Sequence, residues 1–366
     1  MIKTIAVLEG DGIGPEITRE GLKVLDTIAE KFGHRFIYNK APFGAGSYFK
    51  FKSPFPEQTK IICDESDVII KGPVGLSVDK MELIPLEFRP EKGAILPLRK
   101  RYDTFANFRP VYLPPELSFF SPLKEEVINK GIDILMIREL VGGIYFGDKI
   151  EGIDTNNEYS KDKCIYNRNE IHRIAHVAFK EAMKKNKQLT NVHKANVLAT
   201  SRFWNSIIEE VKKEYPEVKY NSILVDNAAF QLVKNPTQFN GVMLLENMQG
   251  DILTDQAGGI IGSLGLMPSA CIGPTKSYVE PAHGSAPDIA GKNIANPYSM
   301  IGSIALMLEK CFDLKEEANI IRSSMIKLFK DSFRTFDLVD KNTEKSKILS
   351  TIEFGDRVVE YINKTN

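Results

Sequence analysis

Short apolar runs alternate with amphipathic stretches along almost the whole chain, and this alternation limits the fold more than any other feature. Runs at Ile5–Leu8, Val68–Ile70, Ile132–Ile137, Asn191–Val192, Ile223–Val225 and Val242–Leu245 read as buried strands. Between them, helical periodicity shows at Ile17–Phe32, Asn169–Lys185, Ser201–Glu214, Leu314–Phe329 and Ile352–Ile362. Strand and helix in alternation predict an α/β architecture with much parallel sheet. At 366 residues the chain exceeds one small core, so about two domains are expected. With no repeat or flexible linker in view, the chain is expected to cross between them more than once.

Charge and cysteine usage exclude several classes. Forty-eight basic and 48 acidic residues cancel, which leaves no global field for nucleic acid or a membrane surface. Any anionic ligand must be met by a local cluster. The longest uncharged run, Gln256–Thr275, contains glycines and prolines, so it is expected to be a buried helix and loop rather than a membrane span. Cys63, Cys164, Cys271 and Cys311 are scattered without metal-ligand spacing, and the N-terminus leads directly into a strand. A cytoplasmic protein with free thiols is expected.

The first strand runs into "GDGIGPE", Gly10 to Glu16, and then into a helix. A Rossmann fingerprint needs Gly-x-Gly-x-x-Gly with an acid about 20 residues on, at the end of the next strand. Here the spacing is Gly10-x-Gly12-x-Gly14, Glu30 falls inside the helix, and the next strand, Arg35–Ala41, carries no acid. The glycines therefore serve something other than a Rossmann pyrophosphate grip.

Four clusters carry residues able to do chemistry. Arg99 and Arg109 lie ten apart behind an apolar stretch, a pattern that on its own is most often two surface arginines. Arg138 closes the apolar strand of "MIREL", where open α/β sheets bind ligands, and Tyr145 follows among glycines in "VGGIYFG". "NVHKANVL" places Lys194 and Asn196 just after a short strand. Asp226 ends another strand, and Asp251 and Asp255 share a face if their segment is helical. Carboxylates meeting at one point suit Mg²⁺ or Mn²⁺, although an i,i+4 acid pair alone is usually a solvated helix face.

Taken in order, GDGIGPE, RELVGGIYFG, HKANVL, GDILTD and EPAHGSAPDIAGKNIANP form a pattern that resembles the isocitrate/isopropylmalate dehydrogenase family of β-decarboxylating dehydrogenases. The resemblance spans Ile5 to about Leu308. It implies a two-domain α/β fold with a large mixed sheet, not a Rossmann fold. A cofactor-side domain would span 1–103 and 256–366, and a central domain 104–255 would carry a dimer arm near 150–168. GDGIGPE then becomes a wall of the cofactor cleft. Glu91, Asn196, His283, Gly284, Ser285, Ala286, Pro287, Asp288, Ile289 and Asn296 complete it. Asp288 can accept from both adenosine ribose hydroxyls and would repel a 2′-phosphate, which selects NAD.

The family reaction oxidises the C2 hydroxyl of a 2-hydroxy acid and then loses CO₂ from C3. By resemblance, Arg99, Arg109 and Arg138 clamp carboxylates, and Asp226, Asp251 and Asp255 hold Mg²⁺ or Mn²⁺. Lys194 is the base and Tyr145 the acid. Lys194 and Asp226 would serve the other subunit's cleft, which makes a homodimer obligatory. Asp226 would also contact substrate.

Ile95 and Leu96 stand where relatives acting on a third carboxylate place polar residues. Burying an unpaired carboxylate there would cost several kcal/mol, whereas an isopropyl group would gain roughly 2 kcal/mol. The implied reaction is 3-isopropylmalate to 2-oxoisocaproate with reduction of NAD, in leucine biosynthesis. The alternatives are a related dehydrogenase acting on another alkylmalate, malate or tartrate, or a non-catalytic regulatory subunit. Such a subunit should have lost one of Tyr145, Lys194, Asp226, Asp251 or Asp255, and all five are present.

Overall fold

The computed structural model describes residues 1–152 and 158–365. The chain divides into two compact units, one formed by Met1–Tyr102, Pro114–Phe120 and Gly262–Asn366, the other by Asp103–Leu113 and Ser121–Ile261.

In the first unit the strand order is Arg35–Lys40, Ile2–Leu8, Val68–Lys71, Tyr278–Pro281, Pro268–Ile272. The first four run parallel and the last is antiparallel to its neighbour, with Ile5 opposite Val68 and Cys271 opposite Tyr278. Ile5 to Leu8 and Val68 to Ile70 are fully buried, which explains their unbroken apolar character: a parallel strand covered on both faces has no solvent side to alternate with. Helix Gly14–Phe32 begins with Pro15 in its first turn and ends at Gly33 in the left-handed conformation. Helix Tyr298–Phe312 is buried continuously from Tyr298 to Leu308. Helices Lys315–Lys330 and Thr351–Lys364 complete this part of the core.

In the second unit the order is Ala106–Tyr112, Asp133–Glu139, Gly241–Leu245, Gln188–His193, Lys219–Leu224. The first pair is antiparallel and the rest are parallel. Helices Arg168–Lys184, Ala199–Lys212, Val225–Lys234 and Asn247–Ile260 follow their strands. Trp204 is buried on one of them and donates from Nε1 to Asn191 Oδ1 at 2.9 Å, so its single polar atom is satisfied inside the core.

Two expectations need correction. The uncharged run Gln256–Thr275 is not only helix and loop; it contains strand Pro268–Ile272. Asp226 does not end a strand but sits in the first turn of helix Val225–Lys234, since strand Lys219–Leu224 stops two residues earlier. The sequence carries no strand expectation around Arg109, which stands in strand Ala106–Tyr112. Within the expected arm near 150–168, Lys149–Ile150 pairs antiparallel with Lys161–Asp162, and residues 153–157 lie outside the described residues. Among the described residues no helix is long and apolar enough to cross a membrane, and none of the four cysteines forms a disulfide.

Candidate active site

Strand Asp133–Glu139 and helix Asn247–Ile260 build a candidate site in the second unit. Asn247, Asp251, Thr254 and Asp255 recur at helical spacing, so they face one way. Arg138 is buried at the strand's carboxyl end, and its Nε and Nη2 donate to Asn247 Oδ1 at 3.1 and 2.8 Å. Its Nη1 donates to Asp251 Oδ1 at 2.5 Å. The helix can come this close because residue 250 has no side chain: a Cβ on Gly250 would lie 2.7 Å from Arg138 Cγ.

The second oxygen of Asp251 accepts from the Tyr145 hydroxyl at 2.9 Å. Tyr145 stands on the single turn Gly143–Tyr145, its ring 5.9 Å from the Arg138 guanidinium carbon. Burial, and after it the Asp251 carboxylate, pushes its phenol up to about 12. The phenol therefore keeps its proton at neutral pH and is poised as a donor.

Arg109 is buried and donates from Nη1 to Thr254 Oγ1 at 2.6 Å and to Asp255 Oδ1 at 3.2 Å. Its Nε is buried with no hydrogen-bond partner, a donor that an anionic ligand would satisfy. Burial raises the Asp255 carboxyl above its ordinary range, Arg109 pulls it down and Asp251 pushes it back up. The Asp251 and Asp255 side chains are 41% and 54% exposed, against 1% for Arg138 and 7% for Arg109. Half-open hard oxygens that repel one another are a donor set suited to Mg²⁺ or Mn²⁺.

Lys194 lies just past strand Gln188–His193, and its Nζ is 3.2 Å from Asp226 Oδ1. That contact and the backbone N–H groups of the helix start hold the Asp226 carboxyl below the usual carboxylate range. Among the described residues, only His172, His176 and Glu214 bring three potential ligand atoms of His, Cys, Asp or Glu within 4.8 Å of one another. Asp226 therefore does not join Asp251 and Asp255 in such a group within one chain. Asn196 is exposed on the same turn as Lys194.

The first unit carries the glycine turn and the loop 283–296. Gly12 has φ +56, and a Cβ there would lie 2.0 Å from the Ser285 carbonyl oxygen, which accepts from Ile13 N at 2.8 Å. The turn thus clasps the loop, which is why its glycines do not follow a pyrophosphate-binding spacing. Ser285 Oγ donates to Gly75 O at 2.9 Å, and Glu91 Oε1 would lie 3.5 Å from a Cβ at Gly75. His283 Nε2 is buried without a partner, and burial lowers the ring's affinity for a second proton.

Gly284, Pro287 and Asp288 are exposed, whereas Ala286 and Ile289 are half-buried. A cleft of about 380 Å³ is lined by Gly12, Glu16 and Arg19 of the glycine turn and its helix and by Gly291 and Asn293 of the loop, among others. The unpartnered imidazole nitrogen of His283 is free to bond a polar ligand. Asn296 is engaged within the fold, donating to Asp337 Oδ2 and accepting from Tyr298 N.

Arg99 also belongs to this unit. Helix Leu96–Tyr102 buries it, its Nε donates to the Tyr278 hydroxyl at 3.1 Å, and Glu280 lies 4.0 Å from its Nη2. Ile95 and Leu96 are half-buried on the turns before it.

Sequence reasoning missed Asn247, Thr254, Glu139 and Asp11. Asn247 stands four residues before Asp251, a spacing that could have revealed it. Buried Asp11 accepts from the N–H groups of Ala45, Gly46 and Gly75 at 2.8 to 2.9 Å, so the acid of GDGIGPE ties three loops together.

A mixed-sheet α/β unit that sets buried Arg109 and Arg138 beside Asp251, Asp255 and a protonated tyrosine has the groups an enzyme needs to handle a small carboxylate-bearing molecule. The chain belongs to the isocitrate/isopropylmalate dehydrogenase family, whose description matches residues 4–358. It is 46% identical over 356 residues to the 3-isopropylmalate dehydrogenase of Clostridium acetobutylicum, covering 97% of this chain and 98% of that protein. To the 3-isopropylmalate dehydrogenase of Halalkalibacterium halodurans it is 46% identical over 366 residues, covering 99% and 98%. The crystal structure of isocitrate dehydrogenase from Methylococcus capsulatus superposes with a TM-score of 0.85 at 30% identity, covering 98% of this chain and 99% of that one.

Proposed function

We propose that this enzyme converts 3-isopropylmalate to 2-oxoisocaproate, as leucine biosynthesis requires, using NAD and Mg²⁺ or Mn²⁺. The observation that carries the reading is the Arg138–Asp251–Tyr145 chain of hydrogen bonds, in a chain 46% identical to curated 3-isopropylmalate dehydrogenases. When bound, NAD would accept the C2 hydride and the divalent cation would polarise the C2 oxygen.

The chain's own residues supply the rest. Arg99, Arg109 and Arg138 bind carboxylates as fixed positive forks, and the partnerless Arg109 Nε is one donor available for it. Asp251 and Asp255 offer the cation their exposed oxygens, with Asp226 of the other subunit as the third carboxylate. Lys194 Nζ takes the C2 hydroxyl proton. Tyr145 Oη delivers a proton to the carbon that loses CO₂, and Asp251 holds that hydroxyl in place at 2.9 Å.

Lys194 and Asp226 acting on the partner's substrate would make the homodimer the active unit. Exposed Val197, Leu198, Phe230, Val233 and Ile252 support a dimer surface on this unit. Asp288, with Ile289 beside it, favours NAD over NADP through charge. A cytoplasmic location accords with the four cysteines outside disulfides.

The cofactor and metal assignments are tested by following reduced-nicotinamide absorbance with 3-isopropylmalate and NAD in Mg²⁺. The rate should vanish on chelation, return with Mg²⁺ or Mn²⁺, and fall at least a hundredfold in Lys194→Ala. Equal rates with NADP, or activity that survives chelation, would sink those assignments.

A further inference from the structure

We propose that His172, His176 and Glu214 form a second metal site, one that takes a divalent transition-metal ion of the zinc class and is built from none of the groups assigned to the reaction. His172 and His176 stand four apart on helix Arg168–Lys184, so both imidazoles project from the same face. Their ring centroids are 4.5 Å apart at an interplanar angle of 67°. Glu214 reaches them from the turn after helix Ala199–Lys212. That turn is fixed by its own backbone bonds, Glu214 N to Val211 O and Tyr215 N to Lys212 O, both 3.0 Å.

The orientation of His176 is set independently. The Tyr215 hydroxyl lies 2.8 Å from His176 Nδ1, and the Tyr215 ring is itself stacked on the buried Phe179 at 5.1 Å. With Nδ1 committed to the tyrosine oxygen, Nε2 points to Glu214 Oε1, 3.8 Å away. That is too long for a hydrogen bond. It is close to the separation of two ligands sharing one tetrahedral ion, roughly 3.4 Å for bonds of about 2.0–2.2 Å. An imidazole that donates its far N–H to an oxygen while presenting the other nitrogen is the usual arrangement of a metal-binding histidine.

The donor set also selects the ion. Two imidazoles and one carboxylate favour Zn²⁺, Ni²⁺, Co²⁺ or Cu²⁺ over Mg²⁺ or Ca²⁺, which prefer all-oxygen sites. The surrounding charges include Lys180 on the histidine helix, the Arg168–Glu210 ion pair beside it and Lys213 next to Glu214. Three protein ligands leave a fourth position for water, as in open zinc sites. The three residues are half-buried or exposed, so an ion can reach them without unfolding.

The test is calorimetric titration of the full-length, untagged protein with Zn²⁺, with Mg²⁺ in large excess to occupy the carboxylates of the reaction site. One Zn²⁺ per chain is expected, weakened at least tenfold by either His172→Ala or His176→Ala and abolished in the double variant. Tyr215→Phe should weaken binding less than either histidine change, because it removes only the acceptor that orients His176. Unaltered circular dichroism and thermal midpoint in metal-free buffer would establish that the double variant is folded. A folded double variant that binds Zn²⁺ with unchanged stoichiometry and affinity would overturn the site. So would a native protein that takes up no Zn²⁺ under these conditions.

Discussion

Replacing Gly250 by alanine isolates the contact on which the proposed carboxylate-binding geometry depends. The added methyl would stand 2.7 Å from Arg138 Cγ, 3.0 Å from its Cβ and 3.1 Å from its Cδ, about 0.7 Å inside ordinary contact at 3.4 Å. The Arg138 stem cannot swing into solvent, because the side chain is 1% exposed. Its guanidinium is meanwhile held by Asn247 and Asp251 of the same helix, so the methyl pushes the stem while its own helix retains the head.

Two effects on stability oppose one another. Glycine to alanine in a helix interior gains about 1 kcal/mol of propensity, whereas overpacking costs about 1–3 kcal/mol. The net change is a loss of about 0–2 kcal/mol, or at most a few degrees in the unfolding midpoint. Activity should suffer far more, since displacing a binding group by about 1 Å costs on the order of a hundredfold. Steady-state kinetics with 3-isopropylmalate should show kcat/KM down roughly 10- to 100-fold in a protein whose calorimetric midpoint has barely moved. Activity within twofold of the parent would refute the idea that the Arg138 stem is sterically fixed by position 250.

Other outcomes follow from the same geometry. Burial pushes the Glu139 carboxyl from an ordinary 4.5 up to about 7, against the N–H groups of Val141 and Gly142, which favour its charged form. Between these values the folded protein binds the extra proton. Stability from this group is therefore full below 4.5 and is lost as pH rises through 7, by about 3 kcal/mol in all. The urea midpoint should fall over that window, and Glu139→Gln should flatten the slope; an unchanged slope would remove Glu139 as its source. Gly12→Ala adds a Cβ 2.0 Å from a backbone oxygen at φ +56, where the left-handed backbone alone costs about 1–2 kcal/mol. A raised KM for NAD is expected with little change in KM for 3-isopropylmalate, and an unaltered NAD dependence would detach the turn from the cofactor. Asp255→Asn removes a charged oxygen from the proposed cation and should raise the Mg²⁺ concentration for half-activity at least tenfold. Unaltered Mg²⁺ dependence would take Asp255 out of the donor set.

Elements with a clear period were legible in the sequence, and those without one were not. Helix Gly14–Phe32 and the strand around Ile5–Leu8 announce themselves through amphipathic spacing and a continuous apolar run. Helix Tyr298–Phe312 lies buried along most of its length, so no polar face marks a period. Strand Pro268–Ile272, with sequence PSACI, lacks both alternation and β-branched enrichment apart from its last residue. At the site, Arg138, Tyr145 and Asp251 could be named because they sit in recognisable motifs. Their hydrogen-bonded chain could not, since it joins a strand, a short turn and a helix 106 to 113 residues away. Asp11 illustrates the converse: it lies in the first motif that draws attention, yet its carboxylate is spent on three backbone N–H groups.

The central claim is the substrate, and a side-by-side comparison of kcat/KM for 3-isopropylmalate, isocitrate, malate and tartrate tests it most directly. In the proposed assignment, half-buried Ile95 and Leu96 would offer an isopropyl group roughly 2 kcal/mol, a factor of about 30, and would offer a third carboxylate no partner. The account predicts 3-isopropylmalate ahead of malate by at least that factor and isocitrate slower still. Isocitrate, malate or tartrate turning over as well as 3-isopropylmalate would contradict it.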